Sequence, residues 1–310
     1  MNTVAVVLRE PEDLALATVT LAPPGAADVV VDVEWSGIST GTERLLWSGS
    51  MPMFPGMGYP LVPGYETVGR VRDAGPDSGR HAGERVFVPG SKGFLDVRGL
   101  FGGAARRVVL PGARATPISE SLGDSGVLLA LAATAQHAIA PSMPDLIVGH
   151  GVLGRLIARL VMAHGAAPPM VWETNPERAQ GATGYTVVDP AQDARRDYRC
   201  ICDVSGSTDA LDTQIASLAP GGEIILAGFY SAPLSFAFPP AFMREARIRV
   251  AAEWKPADLV TVTALLDRGV LSLDGLITHR APASDAAGAY RTAFENPACL
   301  KMILDWRDMP

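Results

Sequence analysis

Apolar and polar positions follow two different rhythms along the chain. In the first third, short runs rich in Val and Ile, at residues 4–8, 29–35, 68–71, 86–88 and 107–110, are separated by Gly, Pro and Asp at close intervals. Runs of this length and punctuation predict short strands in a small barrel-like domain. Residues 122–139, rich in Ala and Leu, predict a helix. After Pro144 strand and helix patterns alternate. "DLIV" precedes a helix over 152–164, then come "MVWE", "ICDVSG", a helix over 209–218 and "EIILAGF". Such alternation predicts a parallel sheet with helices on both faces. The tail is mixed, with "GLITHRA", a helix over 284–294 and the closing strand "CLKMILDW".

Composition narrows the classes of function. The 310 residues are 48% apolar and carry a net charge of −7. No basic block invites nucleic acid. No run of about 18 apolar residues predicts a membrane span, and the N-terminus lacks a signal-peptide pattern. The expected location is the cytoplasm. Three cysteines, Cys200, Cys202 and Cys299, are too few for a disulfide framework or a four-cysteine zinc lobe.

The strongest chemical signal is "DLIVGHGVLGRLIARLVMAHG". It carries Gly149-x-Gly151-x-x-Gly154 between a predicted strand and a predicted helix, the context that gives the motif meaning. Val152, Leu153, Leu156, Ile157, Leu160 and Val161 repeat at helical spacing, with Arg155 and Arg159 expected on the wet face. Glycines there let the backbone approach a pyrophosphate, and the helix start offers unpaired N–H groups. Glu173 lies 19 residues beyond Gly154, close to the spacing of a carboxylate that binds a ribose 2′-hydroxyl. It favours NAD over NADP, although Arg178 stands near enough to accommodate a phosphate. His150 reads as a packing or solvent-facing residue rather than a catalytic one. The expected fold class is therefore α/β: a Rossmann doubly wound sheet over 118–266, with a β-rich domain built from 1–117 and 267–310.

The β-rich start, central dinucleotide fold and returning tail resemble the medium-chain dehydrogenase/reductase superfamily, whose first domain is GroES-like. In its zinc members the first metal ligand is the Cys of a "GIC" turn, where this chain has Ser39. The second is the His of a "GHE" turn, where it has Gly64-Tyr65-Glu66. The third position, counted from Thr134, is Ala130. A short segment, "GSKGFLDVRGLFGG", replaces the structural zinc lobe. No metal is expected. The stretches "VEWSGISTGTERLLWSG", "MPMFPGMGYPLVPGYETVGRV", "LFGGAARRVVLPGARA" and "LAPGGEIILAGFYSAPLSFAFPPAFMREARIRVAAEW" are similar to the 3-hydroxyethyl bacteriochlorophyllide a dehydrogenase family. That resemblance implies NAD-dependent oxidation of a C3 1-hydroxyethyl group on a bacteriochlorin to acetyl. It also implies a homodimer through the edge strand "RIRVAAEW".

Oxidation of a secondary alcohol without a Lewis acid needs hydrogen bonding and a proton path. Tyr65 is the expected donor to the substrate oxygen, Glu66 the proton relay, and Ser39 and Thr40 auxiliary hydroxyls. Trp47, Met53, Phe54, Met57 and Tyr59 crowd a Gly/Pro-rich loop that suits a flat apolar ligand, with Met51 among them. Arg44 and Arg98 are candidates for the ligand's propionate. His137 is expected to be a packed helix residue, and Lys92 to be solvated. Two other readings stay open: a zinc-free quinone or enoyl reductase, and a dinucleotide-dependent pigment carrier without catalysis.

Overall fold

The computed structural model describes residues 1–309. The chain forms two compact units, Met1–Ala130 with Asp274–Pro310, and Leu131–Leu273.

The first unit opens with nine strands: β1 (Asn2–Glu10), β2 (Asp13–Thr20), β3 (Asp28–Ile38), β4 (Leu61–Val62), β5 (Thr67–Ala74), β6 (Arg85–Val88), β7 (Arg98–Gly99), β8 (Arg107–Pro111) and β9 (Thr116–Pro117). The short helix α1 (Thr42–Trp47) follows β3. The second unit contributes β10 (Leu146–Val148), β11 (Met170–Trp172), β12 (Thr186–Val188), β13 (Tyr198–Asp203), β14 (Leu218–Leu226) and β15 (Arg247–Val250). Its helices are α2 (Leu129–Ile139), within which the chain passes between units, then α3 (Val152–Ala163), α4 (Leu211–Ser217), α5 (Phe238–Met243) and α6 (Pro256–Asp267). The tail returns β16 (His279–Pro282), α7 (Ala286–Glu295) and β17 (Met302–Asp305) to the first unit.

In the first unit β3 is the organising strand. It pairs antiparallel with β5, β8 and β17, in a sheet ordered β16-β17-β3-β5-β6-β9 with β8 on β3. Register shifts at Val30/Val31 and Val33/Trp35 bend it, as bulges do. A smaller sheet runs β2-β1-β4-β7. The Val-rich faces of β1, β3, β5, β6 and β8 bury one core with Tyr290, Phe294 and Trp306 from the tail.

The second unit's sheet is parallel throughout, ordered β12-β11-β10-β13-β14-β15. Sequence order runs outward in both directions from the β10–β13 pair. Ligands of such sheets bind beyond the strand ends at that reversal, and the glycine loop follows β10 there. Cys200 and Cys202 are buried on β13, where burial pushes the Cys200 thiol up to about 12.

The helix expected over 122–139 is a correction. Only Leu129–Ile139 is α-helical; Glu120–Leu128 is a tighter 3-10 segment interrupted at Gly123, with φ of 55°. Ser121, Gly123, Asp124 and Gly126 are weak helix formers, so the α-helix waits for the Leu/Ala run. The strand in "RIRVAAEW" is likewise shorter, ending at Val250. Among the described residues no helix is long and apolar enough to cross a membrane.

Candidate functional site

In the second unit the three glycines meet three different constraints. Gly149 turns the chain with φ of +104°, which side chains rarely adopt. A Cβ on Gly151 would meet nothing within 4 Å, so the backbone is open to an approaching ligand. A Cβ on Gly154 would lie 2.0 Å from the Gly149 carbonyl oxygen. Only hydrogen lets the first turn of α3 close onto the loop. Val152 is buried and Leu153 half-buried behind it. No side chain caps the start of α3, leaving its N–H groups for an anion.

Glu173 sits beside this loop. Its Oε2 accepts the His150 backbone N–H at 3.0 Å, and Oε1 accepts that of Asn175 at 2.9 Å. Each oxygen retains a lone pair for a further donor. His150 is fully buried. Its Nδ1 donates to the Arg178 carbonyl at 2.6 Å, so its Nε2 accepts the Tyr185 hydroxyl at 2.7 Å. Burial pushes this imidazole down to about 4, in keeping with a neutral, structural ring. Arg155 corrects the expected wet face of α3. It is 8% exposed and donates to the carbonyls of His150, Arg178, Gln180 and Gly181. The segment after Glu173 thus folds back over α3 and is tied down by Arg155 and His150. Arg178 is half-buried, with its Nε unbonded. His137 bonds Asp258 at 2.9 Å, a packed helix residue as expected.

In the first unit the end of β3 and the turn before β5 carry the catalytic candidates. Gly37 donates to the Glu66 carbonyl at 2.7 Å, which fixes the two segments side by side. Ser39 Oγ and Tyr65 OH lie 2.7 Å apart. Tyr65 packs edge-on against Phe101, with ring centroids 5.3 Å apart. Burial raises the Tyr65 phenol, Glu66 and Glu43 raise it further, and bonds to Ser39 and Thr42 oppose them. It is a hydrogen-bond donor at neutral pH, not a base. Thr40 is half-buried, outside this hydroxyl pair.

Glu66 does not reach the pair, which corrects its expected role as proton relay. It is 0% exposed, and Lys301 Nζ binds its two oxygens at 2.7 and 3.0 Å and the Ile38 carbonyl at 3.1 Å. A Cβ on Gly37 would stand 2.2 Å from Glu66 Oε2, so this carboxylate lies directly against the Gly37 backbone. Neighbours in sequence, Tyr65 and Glu66 serve different partners. Glu43 and Tyr290, joined at 2.6 Å, and Lys301 complete the buried polar cluster; none of the three was a sequence-level candidate.

The hydroxyls at Ser39 and Tyr65 and the methyl group of buried Ala130 do not fit a catalytic zinc. Such sites take thiolate, imidazole or carboxylate ligands. Among the described residues no three His, Cys, Asp or Glu side chains are grouped to hold a metal ion.

The apolar loop divides in two. Trp47, Met57 and Tyr59 pack on a small cluster of Leu8, Leu46, Met51, Leu61 and Leu100, and Trp47 also stacks obliquely on Phe294 at 5.6 Å. Met53 and Phe54, 80% and 38% exposed, stand free of it. Arg44, Lys92 and Arg98 are exposed, and Arg98 Nη1 donates to the Tyr59 carbonyl at 3.3 Å.

The alcohol dehydrogenase GroES-like domain family matches residues 25–120. The chain is 57% identical to the 2-desacetyl-2-hydroxyethyl bacteriochlorophyllide A dehydrogenase of Rhodobacter capsulatus, over 99% of each chain. It is 58% identical to the protein of the same name from Cereibacter sphaeroides, again over 99% of each. Among solved structures, 2R,3R-butanediol dehydrogenase from Bacillus subtilis superposes with a TM-score of 0.85 at 20% identity, over 98% of this chain and 99% of that one. An alcohol dehydrogenase from Escherichia coli, solved with NADH, gives 0.82 at 21% identity over the same shares. A dehydrogenase from Sinorhizobium meliloti, bound to NADP, gives 0.82 at 21%, with the same coverage.

Proposed function

The chain belongs to the 2-desacetyl-2-hydroxyethyl bacteriochlorophyllide A dehydrogenase family, and we propose that it oxidises the C3 1-hydroxyethyl group of a bacteriochlorophyllide to acetyl with NAD+, without zinc. It is an oxidoreductase acting on CH–OH, in bacteriochlorophyll synthesis. The observation that carries the chemistry is the Ser39–Tyr65 hydroxyl couple at 2.7 Å.

The nicotinamide cofactor, when bound, accepts the carbinol hydride and its two electrons. The chain's own residues do the rest. One hydroxyl of the couple donates to the substrate oxygen, and the other orients it. The carbinol O–H proton leaves through hydrogen-bonded hydroxyls to water, so alcohol and NAD+ become ketone, NADH and a proton. Hydrogen bonding to the oxygen as charge develops is worth about 10²–10⁴-fold. Lys301 and Glu66 hold the turn that carries Tyr65. Met53 and Phe54 offer the free apolar surface for a macrocycle, while Trp47, Met57 and Tyr59 support the loop from below. We take the enzyme to be cytoplasmic, and the outer edge of β15 as the surface of a homodimer.

NAD+ rather than NADP+ follows from Glu173, whose carboxylate would repel a 2′-phosphate beside the glycine loop. Replacing Glu173 with Ser is expected to raise kcat/KM for NADP+ relative to NAD+ by about 10–100-fold. An unchanged ratio in paired initial rates would assign selectivity elsewhere, with Arg178 the next residue to test. The function itself is tested by mixing purified protein, a 3-hydroxyethyl bacteriochlorin and NAD+. The expected result is acetyl product with equimolar NADH; tight pigment binding with no NADH would make the protein a carrier.

A further inference from the structure

Behind the hydroxyl couple lies a carboxyl group that takes no part in the proton path. Glu43 is 1% exposed, on the buried side of α1. Its Oε1 accepts the Ser39 backbone N–H at 3.2 Å, and its Oε2 accepts the Tyr290 hydroxyl at 2.6 Å. Tyr290 is itself buried on α7 and packs edge-on against Phe294 at 5.7 Å. Through this one carboxyl, a helix from the tail reaches the residue that carries a hydroxyl of the couple.

The charged and titratable groups facing Glu43 are Tyr290 from α7, Glu66 from the turn before β5, Lys301 from the approach to β17, and Tyr65. Lys301, the one cation among them, is bonded to Glu66 and the Ile38 carbonyl. Among the described residues Glu43 therefore has hydrogen bonds but no salt-bridge partner. Burial pushes it up to about 8; Glu66 adds to the rise, and the bonds from Tyr290 and Ser39 and the Lys301 charge oppose it. A carboxyl in that state is mostly neutral at pH 7.

We propose that Glu43, anchored by Tyr290, is a positioning residue for the alcohol oxidation: neutral, it fixes the Ser39 backbone and with it the hydroxyl couple, and its ionisation slows the reaction. The physical reason is the sign of the charge. As the O–H proton leaves, negative charge grows on the substrate oxygen. A neutral carboxyl does not oppose that growth, whereas an anion in the same buried cluster does, and a poorly solvated charge acts strongly. The inference rests on the reaction assigned above.

The test is initial-rate kinetics from pH 6 to 10, at saturating NAD+, with full-length wild type, Glu43→Gln, Glu43→Ala and Tyr290→Phe. Wild-type kcat is expected to fall above a pH of about 8. Glu43→Gln, which keeps the shape and cannot ionise, should retain kcat within about threefold at pH 7 and lose the alkaline fall. Glu43→Ala should lower kcat by about 100-fold through misplacement of the couple, with KM for NAD+ unchanged; Tyr290→Phe should lower it less. If Glu43→Ala fails to fold, Glu43→Gln and Tyr290→Phe carry the test. An alkaline fall that persists in Glu43→Gln, or a wild type with no such fall, overturns the proposal alone. A wild type that turns over no pigment at any pH overturns the assigned reaction and the proposal with it.

Discussion

Replacing Lys301 with Ala is expected to lower the stability of the first unit by about 3–5 kcal/mol. Glu66 would be left as a carboxylate with 0% exposure and no cation. Both of its oxygens depend on the Lys301 ammonium, and it lies packed against the Gly37 backbone. For a unit of this size, each kcal/mol corresponds to about 2–4 °C in melting temperature, so a loss near 10 °C is the readout. The pair is expected to be replaceable even though it is not divisible. Lys301→Met combined with Glu66→Leu removes both buried charges and should recover most of the loss, because apolar side chains of similar volume often match a buried ion pair. A loss below about 1 kcal/mol for Lys301→Ala, the range of an exposed pair, would mean that water reaches Glu66.

The glycine loop yields the second large effect, and it separates folding from binding. Gly154→Ala places a methyl group 2.0 Å from the Gly149 carbonyl oxygen. Backbone cannot yield as a side-chain tip can, so the loop or the start of α3 must shift, and the N–H groups offered to a pyrophosphate shift too. A loss of about 100-fold in NAD+ affinity, near 2.7 kcal/mol, is expected, with some loss of stability. Gly151→Ala makes the contrast. A Cβ there meets nothing within 4 Å, so thermal stability should stay within about 0.5 kcal/mol of wild type. NAD+ affinity should still fall by about tenfold or more, because the methyl occupies the path of the ligand. Isothermal titration with NAD+, paired with melting curves, reads both. Wild-type affinity in Gly151→Ala would mean that the dinucleotide does not lie against this loop.

How far the sequence was legible follows from the range of each interaction. The α3 stripe and the Gly149–Gly154 spacing are local, and both appear in the structure where the pattern places them. Glu173 is one strand away, and the structure places it beside the glycine loop. Arg155 was misread because helical periodicity places it with Arg159, while the loop at 178–181 covers it through carbonyls that no side-chain pattern announces. Glu66 was misread because adjacency to Tyr65 suggested shared work, whereas its partner is 235 residues away. Glu43 drew no reading from the sequence, and its partner Tyr290 lies 247 residues away. One signal was available: Lys301 interrupts the apolar run of "CLKMILDW", and a lysine within a buried apolar run implies an acid to meet it. Ser39, Tyr65 and Ala130 carry no zinc-ligating group, and that much is legible without coordinates. That Ser39 and Tyr65 bond each other needed the fold.

The most direct test of the central claim is turnover by chelator-treated protein shown by elemental analysis to hold no zinc. With NAD+ and a 3-hydroxyethyl bacteriochlorin, it is expected to release acetyl product and NADH one for one at the untreated rate. The Ser39→Ala/Tyr65→Phe double variant should retain NAD+ binding and lose about 10²–10⁴-fold in kcat. Activity that vanishes with the metal and returns with one zinc per chain, or a double variant as fast as wild type, would contradict the account.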